Sequence, residues 1–213
     1  MHVHATMTLA PGKGQEVTEL LTRSLPLIGE LGWKLAASFR LLYGPTRTIL
    51  NLWDIPDANA FANLGGQIAQ HPELLKIMGG LEGAMIYNEL TLMQQTAQPS
   101  PAAAGAQAPD EKTVYLRETV TALGGQGQAL ATMLLQVVPL LEQRGFRYLG
   151  TWARKTGPSR MTMNLWQLPP SASGLSIPDL LAEDAQLARA YSVIADASSA
   201  VEQTYLRKMP FSP

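Results

Sequence analysis

Gly44-Pro45-Thr46-Arg47, followed by Asn51-Leu52-Trp53, decides how this chain is read. The same words return as Gly157-Pro158-Ser159-Arg160 and Asn164-Leu165-Trp166, each displaced by 113 residues. Working outward, that displacement also carries Gly32-Trp33 onto Gly145-Phe146, Pro26-Leu27 onto Pro139-Leu140, and Gly14-Gln15 onto Gly127-Gln128. From His4/Arg117 to Asp57/Pro170, 16 of 54 ungapped pairs are identical, where chance gives about 3 or 4. The chain is therefore an internal duplication. After Asp57 the match fades, and one or two extra residues are expected in the second copy.

The expected parts are a first half at 1–95, a flexible linker at 96–112 rich in Ala and Pro, and a second half at 113–213. In the first half, Val3, Ala5, Met7 and Leu9 alternate with His4, Thr6 and Thr8, the period of a half-buried strand. Pro11-Gly12 turns the chain, and Val17, Leu20, Leu21, Leu25 and Ile28 recur at helical spacing. Residues 33–43 alternate again, Gly44-Pro45 turns, and 46–55 return as the second arm of a hairpin. A helical stretch broken near His71-Pro72 and a last strand over 83–93 complete the order β-α-β-β-α-β. Such a unit is an antiparallel sheet with helices on one face only. A second copy can cover the bare face, sheet against sheet, with a small cavity expected between.

Composition excludes several classes. The 213 residues carry a net charge of −1 without blocks of like charge, so nucleic acid is not an expected partner. There is no cysteine, hence no disulfide or thiolate chemistry. No stretch reaches the ~20 apolar residues of a membrane helix, and Met1-His2-Val3-His4 does not open a signal peptide. The expectation is a cytoplasmic protein whose partner is a small molecule, with a homodimer left open. No phosphate loop, dinucleotide fingerprint or serine elbow is present, and Gly124-Gly125-Gln126-Gly127 reads as a turn.

The run Thr8-Leu9-Ala10-Pro11-Gly12-Lys13, then Gly32-Trp33, Gly44-Pro45 and Asn51-Leu52-Trp53, with the second-copy counterparts, resembles the NIPSNAP branch of the dimeric α+β barrel superfamily. The resemblance implies an α+β fold of two ferredoxin-like βαββαβ repeats, joined in one chain as a pseudo-dimeric barrel. One departure is that NIPSNAP proteins usually carry His before Leu-Trp, where both copies here have Asn. The superfamily includes cofactor-independent monooxygenases, haem-degrading enzymes, polyketide cyclases and proteins without established chemistry. Its haem-degrading members place a histidine shortly after the strand tryptophan. Asn63 and Ser176 stand there, so haem is not expected.

Asn51 and Trp53 lie two apart on a strand and share a face, as do Asn164 and Trp166. They resemble the Asn/Trp pairs that orient aromatic substrates in the superfamily's monooxygenases. The alternative is a core tryptophan beside a hydrogen-bonded asparagine. His4 and His71 resemble the histidine base of the polyketide cyclase type, since imidazole titrates near neutrality. The second copy has Arg117 and Asp184 at those positions, so any imidazole chemistry is expected in the first half. The alternatives are a partly exposed terminal-strand residue for His4 and a helix-end residue with its side chain in water for His71. His2 and His4 form a His-x-His pair, but two ligands do not make a metal site. The expected catalytic set is His4, His71, Asn51 and Trp53. Tyr43, Asn164, Trp166 and Arg117 are expected to line a substrate pocket, with no cofactor and no metal. The function implied is cofactor-independent oxygenation or cyclisation of an apolar or aromatic, polyketide-like molecule. A non-catalytic NIPSNAP-type ligand-binding or scaffold protein is the alternative.

Overall fold

The computed structural model describes residues 1–45, 47–100, 110–157, 160–170 and 177–213. Turn residues Thr46, Pro158 and Ser159, linker residues 101–109 and Ser176 lie outside the described residues. The chain divides into a unit of Met1–Gln94 with Arg207–Pro213, and a unit of Gln95–Leu206.

The first unit runs β1 (His2–Leu9), α1 (Gly14–Glu30), β2 (Lys34–Leu41), β3 (Thr48–Asp54), α2 (Ala58–Ala69), α3 (Pro72–Ala84) and β4 (Met85–Ala97). The strands lie in the order β4-β1-β3-β2, and the β1–β3, β1–β4 and β2–β3 pairs are antiparallel. Odd-numbered residues of β1 face the helices. Val3 and Ala5 join Ile28, Trp33, Trp53 and Leu74 in one apolar cluster, and Met7 and Leu9 join Val17, Leu21, Ile77 and Leu81 in another. Of the five α1 residues the helical spacing singled out, Val17, Leu21 and Ile28 are buried, and Leu20 and Leu25 are partly buried against the same clusters. Gly32 ends the helix at φ +84°, a left-handed conformation that suits glycine. The C-terminal segment belongs to this unit: Met209 N–H donates to Ser38 O at 2.9 Å, and Ser38 N–H donates to Ser212 Oγ at 2.9 Å.

The second unit repeats the plan with β5 (Val114–Ala122), α4 (Gly127–Glu142), β6 (Arg147–Arg154), β7 (Met161–Gln167), α5 (Ile177–Glu183), α6 (Ala185–Ala197) and β8 (Ser198–Lys208). Its strand order is β8-β5-β7-β6. Here even-numbered residues of β5 turn to the helices. Leu116, Val120 and Ala122 cluster with Leu130, Met133, Val137 and Leu187.

The 113-residue displacement survives further than the sequence match does. α3 and α6 begin at 72 and 185 and end at 84 and 197, and β4 and β8 begin at 85 and 198. The expected insertion after Asp57 therefore leaves no net shift by the third helix. Even the irregularities match: β2 slips register against β3 between Leu35 and Ala37, and β6 slips against β7 between Tyr148 and Gly150.

The expected linker of 96–112 is shorter at its start. Thr96 and Ala97 are the last residues of β4, and Ser100 N–H donates to Tyr148 O at 3.4 Å. At the far end, Thr113 Oγ1 donates to Asp110 Oδ1 at 2.8 Å in a tight turn.

Candidate functional site

Glu118 stands mid-β5 at a helix-facing position, between Leu116 and Val120, and is only 2% exposed. β5 and β7 pair so that Glu118 lies directly opposite Asn164, and Leu116 opposite Trp166. Glu118 and Asn164 therefore meet on one sheet face. Asn164 Nδ2 donates to Glu118 Oε2 at 3.0 Å. Gln203 of β8 donates to Glu118 Oε1 at 3.0 Å, and the Tyr191 hydroxyl of α6 donates to the same oxygen. No described ion pair includes Glu118. Burial pushes its carboxyl above the usual range, while the bonds from Gln203 and Asn164 pull it back.

The network continues along the sheet. Thr151 Oγ1 donates to Asn164 Oδ1 at 2.5 Å, and Thr151 is bonded in turn to the Tyr148 hydroxyl. Because the one Thr151 hydroxyl hydrogen is given to Asn164, Tyr148 supplies the hydrogen of its own bond. Every proton in the chain Tyr148–Thr151–Asn164–Glu118 thus points toward the carboxylate. Burial pushes the Tyr148 phenol up to about 12, which keeps it a donor. Its ring packs on Trp166, with centroids 4.9 Å apart at 54°.

A cavity of about 450 Å³ adjoins this network. Leu130, Met133 and Leu134 of α4 form one wall, Val120 and Thr162 another. Asn164 and Thr151 supply hydrogen-bonding groups, and Arg154 and Arg160 also line it. Among the described residues, no carboxylate lines it. The cavity lies within the second unit, between α4 and the helix-facing side of the sheet, with Thr96 and Ala97 at the end of β4 also lining it. Its polar lining groups Asn164 and Thr151 are side chains turned toward the helices.

Strand parity also sorts the expected site residues. Asn51 and Trp53 sit opposite Ala5 and Val3 and face the helices, whereas His4 sits opposite Leu52 and faces the other way. His4 is buried, where the alternative reading had it partly exposed at the end of a strand. His71 is on the helix side. It is the N-cap of α3, where Nδ1 accepts from Leu74 N–H at 3.3 Å, and Nε2 lies 3.8 Å from Glu30. The two histidines are thus on opposite sides of the sheet and do not form a pair. Trp53 packs edge-on to Trp33, 6.4 Å between centroids, inside an apolar cluster. Asn51 Oδ1 accepts from Ser38 Oγ at 2.6 Å, as Asn164 does from Thr151.

In the expected pocket set, Asn164 lines the cavity, and Trp166 shares its face, packed against Tyr148. Arg117 does not join them. It pairs across from Leu165 on the opposite face and binds Glu202 at 3.0 Å and Thr204 at 3.1 Å. Tyr43 is 69% exposed beyond the end of β2. His2 Nδ1 lies 2.7 Å from Asp54 Oδ1. Among the described residues no group of three His, Cys, Asp or Glu is placed to hold a metal, and no helix is long and apolar enough to cross a membrane.

Sequence reasoning passed over Glu118, Tyr191, Gln203 and Thr151. One signal was available. In 114–122 the helix-facing positions read Val114, Leu116, Glu118, Val120 and Ala122, so a lone carboxylate occupies a core register. At the same positions of the first repeat stand Ala5, Met78 and Leu90 for Glu118, Tyr191 and Gln203. Ala5 and Met78 pack together in its apolar cluster.

No protein-family model matches the sequence, and no curated protein does. Solved structures do match. An anthrone oxidase-like protein aligns over 98% of this chain and 90% of its own, with TM-score 0.68 and 13% identity. A candidate monooxygenase from Lactobacillus acidophilus aligns over 97% of this chain and 92% of its own, with TM-score 0.65 and 8% identity. A NIPSNAP domain protein from Burkholderia xenovorans aligns over 47% of this chain and 98% of its own, with TM-score 0.40 and 16% identity. The two full-length likenesses show the fold: two ferredoxin-like repeats in one chain, of the dimeric α+β barrel class.

Proposed function

We propose that the second repeat binds a small, largely apolar or aromatic molecule in its cavity and acts on it, by oxygenation or cyclisation without a cofactor. The observation that carries this reading is the union of apolar walls with an oriented polar network at one side. Cavities of this size hold drug-sized ligands, with a few polar groups fixing orientation. A buried carboxylate stabilised by three neutral donors is costly to keep in a core, and such groups cluster at functional sites. The likeness to an anthrone oxidase-like fold adds a substrate class to try.

The test uses anthrone and dioxygen. Oxygenation would convert anthrone and one O₂ to anthraquinone and one water: one oxygen atom becomes the new carbonyl, and the other leaves as water with the two methylene hydrogens. Oxygen uptake and quinone absorbance should rise together in proportion to protein, and Asn164→Ala should lower the rate by roughly 10²-fold. Binding without turnover would favour the non-catalytic ligand-binding reading. No binding of any aromatic probe would refute both.

A further inference from the structure

Asn164 has four hydrogen-bonding positions, two N–H donors and two lone pairs on its oxygen. Glu118 takes one donor at 3.0 Å, and Thr151 occupies one lone pair at 2.5 Å. These two partners fix which way the amide faces, a choice otherwise open to a flip of oxygen and nitrogen. Asn164 also lines the cavity, so its second Nδ2 hydrogen is the donor left for an occupant.

We propose that Glu118 is a positioning residue: as a carboxylate it holds the Asn164 amide with nitrogen inward, and the site thereby selects ligands that set a neutral carbonyl oxygen against Asn164. The inference rests on the reading above for the kind of molecule in the cavity and adds which atom is recognised, and by what means.

Three observations carry it. Three donors converge on Glu118, from β7, β8 and α6, which suits a carboxylate that accepts from all three; beside Oε2 stands only the Asn164 amide nitrogen, while beside Oε1 the Tyr191 oxygen can accept a proton in place of donating one. A proton on Oε1, given to Tyr191, leaves the Asn164 bond in place, whereas a proton on Oε2 sets its hydrogen against the Asn164 Nδ2 hydrogen and turns the amide over, breaking the Thr151 bond. The occupant would then meet an acceptor instead of a donor. The charge also bears on the ligand. A phenolate or enolate oxygen set against Asn164 would be repelled by Glu118 through a short, dry path, whereas a neutral carbonyl is not; Arg154 and Arg160, the cations lining the same cavity, favour negative charge on other parts of an occupant. The groups facing Glu118 from the packed elements are Tyr191, titratable, and Gln203 and Asn164, neutral. The nearest described cation on its own strand, Arg117, is on the opposite face and bound to Glu202.

Two measurements test the proposal. The first is binding of fluorenone and of its carbonyl-free analogue fluorene, read by tryptophan fluorescence from pH 5 to 9. Wild type should prefer fluorenone by about tenfold at the alkaline end, the size of one good hydrogen bond. The preference should fade as acid protonates Glu118. Glu118→Gln, which keeps an acceptor oxygen, should retain the preference with a flat pH profile, and Glu118→Ala should lose it. A preference that is pH-independent in wild type and intact in Glu118→Ala would overturn the proposal. The second needs no ligand and no folded variant of Glu118. The ¹⁵N side-chain signal of Asn164, identified by its loss in Asn164→Ala, should shift with a single titration in wild type. A signal that does not titrate sinks the positioning role. A titrating signal with neither probe bound supports that role and refutes the reading of the cavity as an aromatic site.

Discussion

Asn164 gives an amide hydrogen to Glu118 at 3.0 Å, while Asn51, its counterpart 113 residues earlier, stands opposite Ala5. The same residue type on the same strand thus faces a charge in one repeat and a methyl group in the other. Asn164→Asp would put two buried carboxylates in contact, which forces one to stay protonated. We expect it to lower the unfolding free energy by about 3 kcal/mol at pH 8, and by less at pH 5, where a shared proton relieves the repulsion. Asn51→Asp should cost less at pH 8 and vary less with pH. Urea unfolding at the two pH values decides the matter, and equal losses at both sites would show that Glu118 exerts no such repulsion.

Glu118 should cost stability at neutral pH. Its carboxyl is raised on folding, so the folded chain holds that proton more tightly than the unfolded one. Its contribution is full below the ordinary glutamate value and is lost as pH climbs through the higher folded value. Glu118→Gln removes the titration. The variant should match or exceed wild type in Tm at pH 8 and lose that advantage toward pH 4. A Tm deficit that grows with rising pH would contradict the sign of the shift.

The two repeats cap their third helix with different chemistry. His71 accepts from one backbone N–H. Asp184 accepts from two, Gln186 at 2.8 Å and Leu187 at 2.9 Å, and also pairs with Arg144. Removing a cap costs about 1 kcal/mol. His71→Ala should lose roughly that much, with Asp184→Ala losing more. His71→Asp should recover wild-type stability or better, because a carboxylate suits a helix N-terminus. Urea midpoints for the three variants rank them, and a His71→Asp protein weaker than His71→Ala would rule out capping as the role of this residue.

Gly150 lies just past the register slip in β6 at φ +132°. A Cβ there would come within 3.0 Å of Gln95 Nε2, 3.1 Å of the Ala97 carbonyl and 3.1 Å of the Trp152 ring. Gly150→Ala combines backbone strain with a carbonyl that cannot move aside, and should cost about 1–3 kcal/mol. Ala37, at the same place in the first repeat, tolerates a side chain, so Ala37→Gly should cost well under that. Thermal melts of both variants would reveal a wrong assignment if the order reversed.

The repeat and its element order were legible because duplication prints the same turn, hairpin and Asn-x-Trp words twice. Alternation placed Val3, Ala5, Met7 and Leu9 on one face, and the structure packs those four against helices. Asn164 and Trp166 were legible as a same-face pair. The centre of the site was not, because Glu118, Tyr191 and Gln203 come from three separated segments, and no local spacing announces a meeting across strands and a helix. His4 drew attention through its chemistry, yet the same alternation that made β1 a strand had already put it on the face away from Asn51. His71 was ambiguous for another reason: a histidine before proline at a helix start serves as a cap as readily as a base, and only the bond to Leu74 decides.

The displacement that β2, β3, α3 and the start of β4 share with β6, β7, α6 and the start of β8 makes the two repeats interchangeable cassettes. Caps, glycine stops and strand irregularities fall at matching numbers, so a side chain moved from one to the other arrives in a backbone of the same design. Ala5→Glu, Met78→Tyr and Leu90→Gln would transcribe the Glu118 network into the first repeat, where Asn51 and Ser38 already wait in register. The natural chain is thus its own blank and its own template, and grafting three residues asks how little sequence separates an apolar core from one that holds a carboxylate.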